Sequence, residues 1–271
     1  MKSFKVTDFN APLQEVDTPT PQPQGTQVLI KVKAAGVCHS DLHIWEGGYD
    51  LGHGRKPLSL KDRGVSLPRT MGHETVGEVM AFGPDVTAAD KGDLKIGDVA
   101  LVYPWLGCGK CEVCLAGEEN MCLKPYSLGV HCDGGYADHM IVPNPKYLLN
   151  LKGLDPVTAA PYACSGVTTY SALKKVEADF NTPIVIFGAG GLGLMALSLL
   201  KAMGGKGAIV VDIDARDPIA LCHQAARSSL RLTRHSAICT AFSAAPLRRL
   251  SATIHSDNPF STVGSLRMRL T

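Results

Sequence analysis

Within Gly36-Val37-Cys38-His39-Ser40-Asp41-Leu42-His43 the chain offers a thiol, two imidazoles, a hydroxyl and a carboxylate in one short run. Downstream, Gly72-His73-Glu74 adds another imidazole and another carboxylate. A thiolate and an imidazole that meet in space, joined by a third soft ligand, make a zinc site that keeps one position open. Cys38 and His73 are too far apart in sequence for a local zinc finger, but the spacing suits ligands carried on two loops of one barrel. Cys164, in Ala163-Cys164-Ser165-Gly166, is the candidate third ligand; its plain alternative is a buried cysteine acting as a small hydrophobe. Either short motif alone is weak, and the three ligands together give the metal reading its force.

A second cluster, Cys108-x2-Cys111-x2-Cys114-x7-Cys122, places four thiolates on one loop. Such a set closes a tetrahedron around zinc with no open position, which marks a structural rather than a catalytic site. It would stabilise a loop that has little core of its own. The rival readings are a redox cysteine pair and a nucleic-acid zinc knuckle. Glu112, Glu118 and Glu119, in and beside the loop, oppose phosphate binding.

The third piece is Gly188-Ala189-Gly190-Gly191-Leu192-Gly193, which follows an apolar run and opens a helical one. In that context Gly188 serves the tight turn, Gly190 lets backbone approach a pyrophosphate and Gly193 permits close helix packing. The turn, including Gly191 and Leu192, then faces the phosphates with a helix N-terminus. Asp212 closes the next apolar run, placed to accept hydrogen bonds from an adenosine ribose. Its charge would repel a 2′-phosphate, so NAD is expected over NADP.

The elements that must position these residues change character along the chain. Up to about residue 150 the reading is mainly β: Val28–Val32, Thr75–Val79 and Asp98–Val102 are short β-branched runs punctuated by Gly and Pro. That pattern suggests a closed or partly closed barrel. Gly47 to Arg69, rich in Gly, Lys and Arg, reads as a surface loop. Pro156 through Lys175 reads as one helix with Pro in its first turn, bent near Gly166. Pro183–Phe187, Leu192–Met203 and Gly207–Asp212 then read as strand, helix and strand, one βαβ unit. The uncharged run from Asn181 to Leu200 is long enough for a crude membrane filter, but its central glycines favour a strand–turn–helix.

Nine cysteines, five of them at metal-ligand spacings, argue against a disulfide framework and for a reducing, cytoplasmic setting. Met1-Lys2-Ser3-Phe4-Lys5 lacks the apolar stretch of a secretory signal. The net charge of +2 hides an asymmetry: residues 1–215 carry 19 basic and 23 acidic side chains, while residues 216–271 carry eight Arg against only Asp217 and Asp257. Past Asp214 the periodicity fails and no further strand stands out. That composition break reads as a tail foreign to the fold, of the kind a shifted reading frame or aberrant splice would leave.

From Lys2 to about Asp214 the chain resembles the zinc-dependent, medium-chain alcohol dehydrogenases, most of all their tetrameric microbial and archaeal members. The resemblance rests on GVCHSDLH, Gly72-His73-Glu74, the four-cysteine loop, ACSGVTTY and GAGGLG, which agree in type, order and spacing. It implies α/β plus β architecture: a GroES-like β-barrel catalytic domain over 1–152, then an incomplete Rossmann domain (a doubly wound parallel sheet) begun over 153–214. Residues 215–271 have no counterpart in it.

By matching positions, the resemblance implies that Cys38, His73 and Cys164 hold a catalytic zinc, with Glu74 behind the metal as an occasional ligand. Cys108, Cys111, Cys114 and Cys122 would hold the structural zinc. Asp41 would orient His73, as metal-bound histidines usually require. His39 stands where a cofactor phosphate is contacted, Thr168 where the nicotinamide is, and Trp105 where the substrate pocket has a wall. Ser40 would take the alcohol proton and His43 would be the terminal base. The expected reaction moves a hydride from a primary or secondary alcohol to NAD, giving aldehyde or ketone. A polyol dehydrogenase and a non-catalytic zinc-binding remnant are the alternatives. Partners are expected to be the small-molecule alcohol and its carbonyl product, without nucleic acid or membrane, in a homo-oligomer. A sheet stopping after its second strand would leave activity weak or absent.

Overall fold

The structure, a computed structural model, describes residues 1–176, 184–205, 207–212, 231–232 and 238–241. The chain divides into two compact units, Met1–Thr168 and the part from Thr169 onward.

The first unit is built on a five-stranded antiparallel sheet in the order His139–Val142, Val28–Gly36, Glu74–Phe82, Val99–Val102, Leu148–Asn150. Val28, Ile30, Val79, Ala100, Val102, Met140 and Val142 turn their side chains into one core, joined by Leu106, Leu128 and Tyr147. Val28, Ile30, Val79 and Val142 are completely buried, and at about 1.5–3 kcal/mol for each such side chain this core is the unit's main source of stability. A smaller sheet sets Lys2–Val6 between Gln14–Asp17 and Arg69–Thr70, and the bridge Ser3↔Ala137 ties it to the larger one.

The register of the central pair is what brings the first two chemical segments together. Val28–Gly36 runs antiparallel to Glu74–Phe82, with two register shifts, and ends with Gly36 opposite Glu74. Cys38 therefore lies just past the end of one strand and His73 just before the start of the other. A chain separation of many residues is collapsed by one antiparallel ladder.

The stretch between those segments is more than a loop. Gly48–Tyr49 pairs with Leu58–Ser59, and Leu60 and Val65 are buried against Val6, Ile44 and Met71. Tyr49 and Leu67 pack against the same cluster, so apolar side chains along the run pin it to the unit. The expected single helix from Pro156 is also broken, into Pro156–Ala159, a 3-10 turn over Ala160–Ala163 and Ser165–Lys175. The break falls at Cys164, whose φ of −121 and ψ of −75 leave the helical region, and not at Gly166. Ala159 and Ala160 pack on Val76 and Leu151, so these short helical pieces are fixed to the sheet of the first unit.

In the second unit Ile184–Phe187 pairs in parallel with Ala208–Val211, and the 12-residue helix Gly191–Ala202 connects them. Gly193, Ala196, Leu197 and Leu200 form its buried stripe at helical spacing, meeting Leu173, Ala208 and Val210. Among the described residues no helix is long and apolar enough to cross a membrane. Two further strands exist that the sequence pattern did not disclose. Ile238–Ala241 runs antiparallel to Ala208–Val211, and Arg231–Leu232 runs antiparallel to Ile238–Ala241. An antiparallel partner needs only free backbone groups along a strand edge, so these short segments carry little apolar signature. The rest of the expected foreign tail over 215–271 lies outside the described residues.

Candidate metal centres and nucleotide turn

Helix His39–Glu46 starts directly after Cys38, which has an extended backbone (φ −99, ψ 154) and forms the helix N-cap. Asp41, in the first turn, reaches back to accept from the Cys38 N–H at 2.9 Å, which satisfies an N-terminal donor and suits the positive end of the helix. The helix ends at Gly47, whose N–H returns to the carbonyl of His43 at 2.9 Å.

Cys38, His73, Glu74 and Cys164 each present a ligand atom within 4.8 Å of the others. The Cys38 and Cys164 sulfurs are 3.9 Å apart. Two thiolates at about 2.3 Å from one tetrahedral zinc would be separated by about 3.8 Å, so this spacing fits the ion. The Nε2 atom of His73 is buried without a hydrogen-bond partner, an arrangement that costs stability unless something binds it. Its other ring nitrogen, Nδ1, is 3.2 Å from Asp41 Oδ1. With the proton on Nδ1 the lone pair of Nε2 points at the cysteines, which is the tautomer a metal requires.

Burial disfavours a charged His73 ring, but the Asp41 carboxylate and the Cys164 sulfur outweigh it and push its pKa up to about 11. Burial raises Asp41 in turn, while the hydrogen bond and charge of His73 and the Cys38 N–H bring it below the ordinary carboxylate range. Burial lifts Glu74, partly offset by the charge of His73, and burial lifts the Cys164 thiol. A divalent cation would bind here by displacing protons from the sulfurs and from His73 Nε2.

The second cluster brings Cys108, Cys111, Cys114 and Cys122 within the same 4.8 Å limit. The sulfur separations are 4.0 Å for Cys108–Cys114 and 3.9 Å for Cys111–Cys122, again near the tetrahedral value. Backbone donors converge on the sulfurs: Cys111 N–H on Cys108 at 3.4 Å, and the N–H groups of Cys108 and Lys124 on Cys122 at 3.3 Å each. Hydrogen bonds from the N–H groups of Cys114 and Leu123 lower Cys111 to about 6, whereas burial pushes Cys114 up to about 12. Glu119 anchors the loop to the barrel through Lys146 Nζ at 2.5 Å and the Tyr147 hydroxyl at 3.0 Å.

The remaining candidates sort by place. His43 is half-buried, its ring 4.7 Å from that of His39 and 4.3 Å from that of Tyr49, with Nδ1 3.3 Å from Glu46 Oε2. Ser40 is half-buried on the same helix, and His39 is exposed. The ring of Trp105 lies 6.4 Å from that of His73, so it flanks the first ligand group. Thr168 is exposed, one turn after Cys164, its N–H donating to the Cys164 carbonyl at 3.0 Å.

In the second unit the glycine turn joins strand Ile184–Phe187 to helix Gly191–Ala202. Gly188 takes φ +97, and a Cβ on Gly193 would fall 1.9 Å from the Gly188 carbonyl oxygen, so the helix packs as closely as glycine allows. Cβ atoms on Gly190 and Gly191 would meet nothing within 4 Å, which leaves open space over the first helical turn. Leu192 is exposed there. Asp212 accepts from the Ala189 N–H at 2.6 Å, which fixes its carboxylate against the turn.

Tyr136 is the site residue that sequence reasoning missed. Its hydroxyl lies 3.0 Å from Asp41 Oδ2 and 3.2 Å from the Gly36 carbonyl. Nothing in Cys132-Asp133-Gly134-Gly135-Tyr136 flags a role; a glycine pair before an aromatic residue is at most a hint of close backbone approach.

The first unit thus carries one three-ligand thiolate–imidazole group and one four-thiolate group, and the second a dinucleotide-type strand–turn–helix. Residues 24–153 match the alcohol dehydrogenase GroES-like domain. An NAD-dependent alcohol dehydrogenase of Sulfurisphaera tokodaii is 44% identical over 218 residues, 80% of this chain and 59% of that protein. The crystal structure of the D-arabinose dehydrogenase from Sulfolobus solfataricus superposes with a TM-score of 0.65 at 30% identity, covering 83% of this chain and 63% of that one. A cobalt- and zinc-bound thermostable alcohol dehydrogenase from Pyrobaculum aerophilum gives a TM-score of 0.65 at 28% identity over 80% of this chain and 60% of that one. The chain belongs to the zinc-dependent medium-chain alcohol dehydrogenase family, as a GroES-like barrel followed by an incomplete Rossmann domain. It spans about 59% of the length of the curated relatives it matches.

Proposed function

We propose that this chain is an NAD-dependent zinc alcohol dehydrogenase, oxidising a primary or secondary alcohol to an aldehyde or ketone. The observation that carries the reading is the buried, unpartnered Nε2 of His73 facing two cysteine sulfurs set at a tetrahedral zinc spacing. Bound zinc would supply Lewis acidity and bound NAD a hydride acceptor.

The chain's own residues do the rest. Cys38, His73 and Cys164 would hold the metal, with Glu74 as an occasional ligand. Asp41 holds the His73 ring and its tautomer. Trp105 excludes water from one side of the ligand group. Ser40 receives the proton of the substrate hydroxyl, and His43, partly open to solvent and backed by Glu46, is its final acceptor. Gly188, Gly190, Gly191, Leu192 and Gly193 present backbone donors to the cofactor pyrophosphate, and Asp212 takes the ribose hydroxyls and repels a 2′-phosphate. His39 and Thr168 are the further cofactor contacts that the family resemblance implies. Cys108, Cys111, Cys114 and Cys122 hold a second, structural zinc. A reducing, cytoplasmic setting and a homo-oligomeric dimer or tetramer belong to the same reading.

One observation favours a second reading, a zinc-binding protein without turnover. The edge of Ala208–Val211 on which a doubly wound sheet adds its next parallel strand is taken by the antiparallel strand Ile238–Ala241. Zinc counting combined with NAD titration separates the two. Two zinc ions per chain, saturable NAD binding and alcohol-dependent formation of reduced nicotinamide support the enzyme. One zinc and no nucleotide binding support the second reading. A substrate panel of simple alcohols against polyols and sugars then fixes the substrate class.

A further inference from the structure

The two segments that bear Cys38 and His73 are clasped by one side chain from a distant part of the chain. Three successive backbone hydrogen bonds lace the Tyr136 region to the His73 region: Gly134 N–H to Thr70 at 2.8 Å, Tyr136 N–H to Met71 at 2.9 Å and Gly135 N–H to Gly72 at 2.7 Å. The Tyr136 ring lies against Gly72, where a Cβ would come within 2.6 Å of it. From that anchored position the hydroxyl crosses to the other segment, reaching Asp41 Oδ2 at 3.0 Å and the Gly36 carbonyl at 3.2 Å.

Asp41 is the point where these contacts meet. Its Oδ2 accepts from the Cys38 N–H and from Tyr136, and its Oδ1 faces the Gly72 N–H at 3.4 Å and His73 Nδ1 at 3.2 Å. The carboxylate is 2% exposed, so no water can replace a lost donor without rearrangement. A hydroxyl carries one proton, and an ionised acceptor wins it over a neutral carbonyl. Burial and the charge of Asp41 both raise the Tyr136 phenol, which keeps that proton in place at any ordinary pH.

We propose that Tyr136 is a positioning residue for the metal centre: its hydroxyl fixes the Asp41 carboxylate, which in turn fixes the ring angle and tautomer of His73. This inference rests on the metal reading of Cys38, His73 and Cys164 given above. Removing the hydroxyl leaves Oδ2 with the Cys38 N–H alone, and the carboxylate's hold on the His73 ring loosens.

The test uses the full chain and divalent cobalt or zinc alone, with affinity at each site measured by chelator competition. Wild-type protein that binds two metal ions upholds the underlying reading; a single ion held by the four-cysteine loop removes that reading, whatever Tyr136 does. Given two ions, Tyr136→Phe keeps the ring on Gly72 and is expected to weaken the ion at Cys38, His73 and Cys164 by about tenfold or more, the usual scale for outer partners of a metal ligand. The four-cysteine site is expected to stay within about twofold, the precision of such a competition. The absorption spectrum of bound cobalt at the first site should shift as well. In an Asp41→Ala background the same Tyr136→Phe change is expected to add nothing, because the hydroxyl then has no carboxylate to hold. Undiminished first-site affinity in Tyr136→Phe overturns the proposal. So does an equal loss at both sites, or a loss that persists in full without Asp41.

Discussion

Gly72→Ala should be among the costliest small substitutions in the chain, and the structure says why in two separable parts. Gly72 has φ +95, where a Cβ crowds the following carbonyl at about 1–2 kcal/mol. The same Cβ would sit 2.6 Å from Tyr136 Cδ1 and 2.9 Å from the Tyr136 nitrogen, an overpacking worth about 1–3 kcal/mol. The backbone cannot slide away, because Gly129 and Gly134 already approach the Gly72 peptide so closely that their own Cβ atoms would lie 2.7 and 2.3 Å from it. The sum is about 2–5 kcal/mol. Gly97 supplies a control with nearly the same backbone, φ +90, and nothing within 4 Å of its Cβ. Gly97→Ala should therefore show the strain alone, about 1–2 kcal/mol. Urea unfolding of both variants and wild type, followed by circular dichroism, measures the two costs side by side. Because His73 follows Gly72, the first variant should also lose affinity for cobalt at the three-ligand group, while the second should not. Equal destabilisation by the two substitutions, with cobalt binding intact in both, would refute the packing half of the reasoning.

Three further outcomes are expected. Cys111→Ser should remove one zinc per chain and open the loop to limited proteolysis between Gly107 and Leu123, with the five-stranded sheet still folded, since that sheet has its own core. Asp155 caps Pro156–Ala159 through the Thr158 N–H at 2.9 Å, and its hydrogen bonds from Thr158 hold its pKa below the ordinary value. A lowered folded-state pKa means that its contribution is complete above the ordinary Asp range and is lost as pH falls through the folded value. Unfolding midpoints of wild type and Asp155→Ala should thus differ near neutrality and converge in acid. Trp105 and Trp45 are the two tryptophans of the chain; the first lies beside His73, and the second packs against the cluster of Val6 and Ile44. Cobalt should quench the fluorescence of a Trp45→Phe variant strongly, and a variant lacking Trp105 should show little quenching.

Legibility in the sequence followed the range over which each feature is encoded. The four-cysteine loop is local, so spacing alone disclosed its donors, and all four sulfurs do gather. The glycine turn was equally readable, because the strand before it and the helix after it are continuous apolar runs. The meeting of Cys38, His73 and Cys164 depends on strand register and on a helix broken at Cys164, neither of which has a local signature; residue types suggest the three ligands, and the family resemblance adds their roles. Pro161, inside the run read as one helix, fits the 3-10 turn that ends at that break. Tyr136 was invisible because its partner, Asp41, is reached only through the folded sheet. Arg231–Leu232 and Ile238–Ala241 escaped because strands so short, paired through backbone groups, need no alternating pattern.

In the proposed enzyme Cys38, His73 and Cys164 share one zinc ion, distinct from the ion of the four-cysteine loop. Anomalous diffraction at the zinc absorption edge from crystals of the zinc-loaded chain tests it most directly. The prediction is two peaks per chain, one at about 2.3 Å from the sulfurs of Cys38 and Cys164 and about 2.0–2.1 Å from His73 Nε2, the other enclosed by the four thiolates. A single peak confined to the four-cysteine loop, with the sulfurs of Cys38 and Cys164 turned apart, would contradict it.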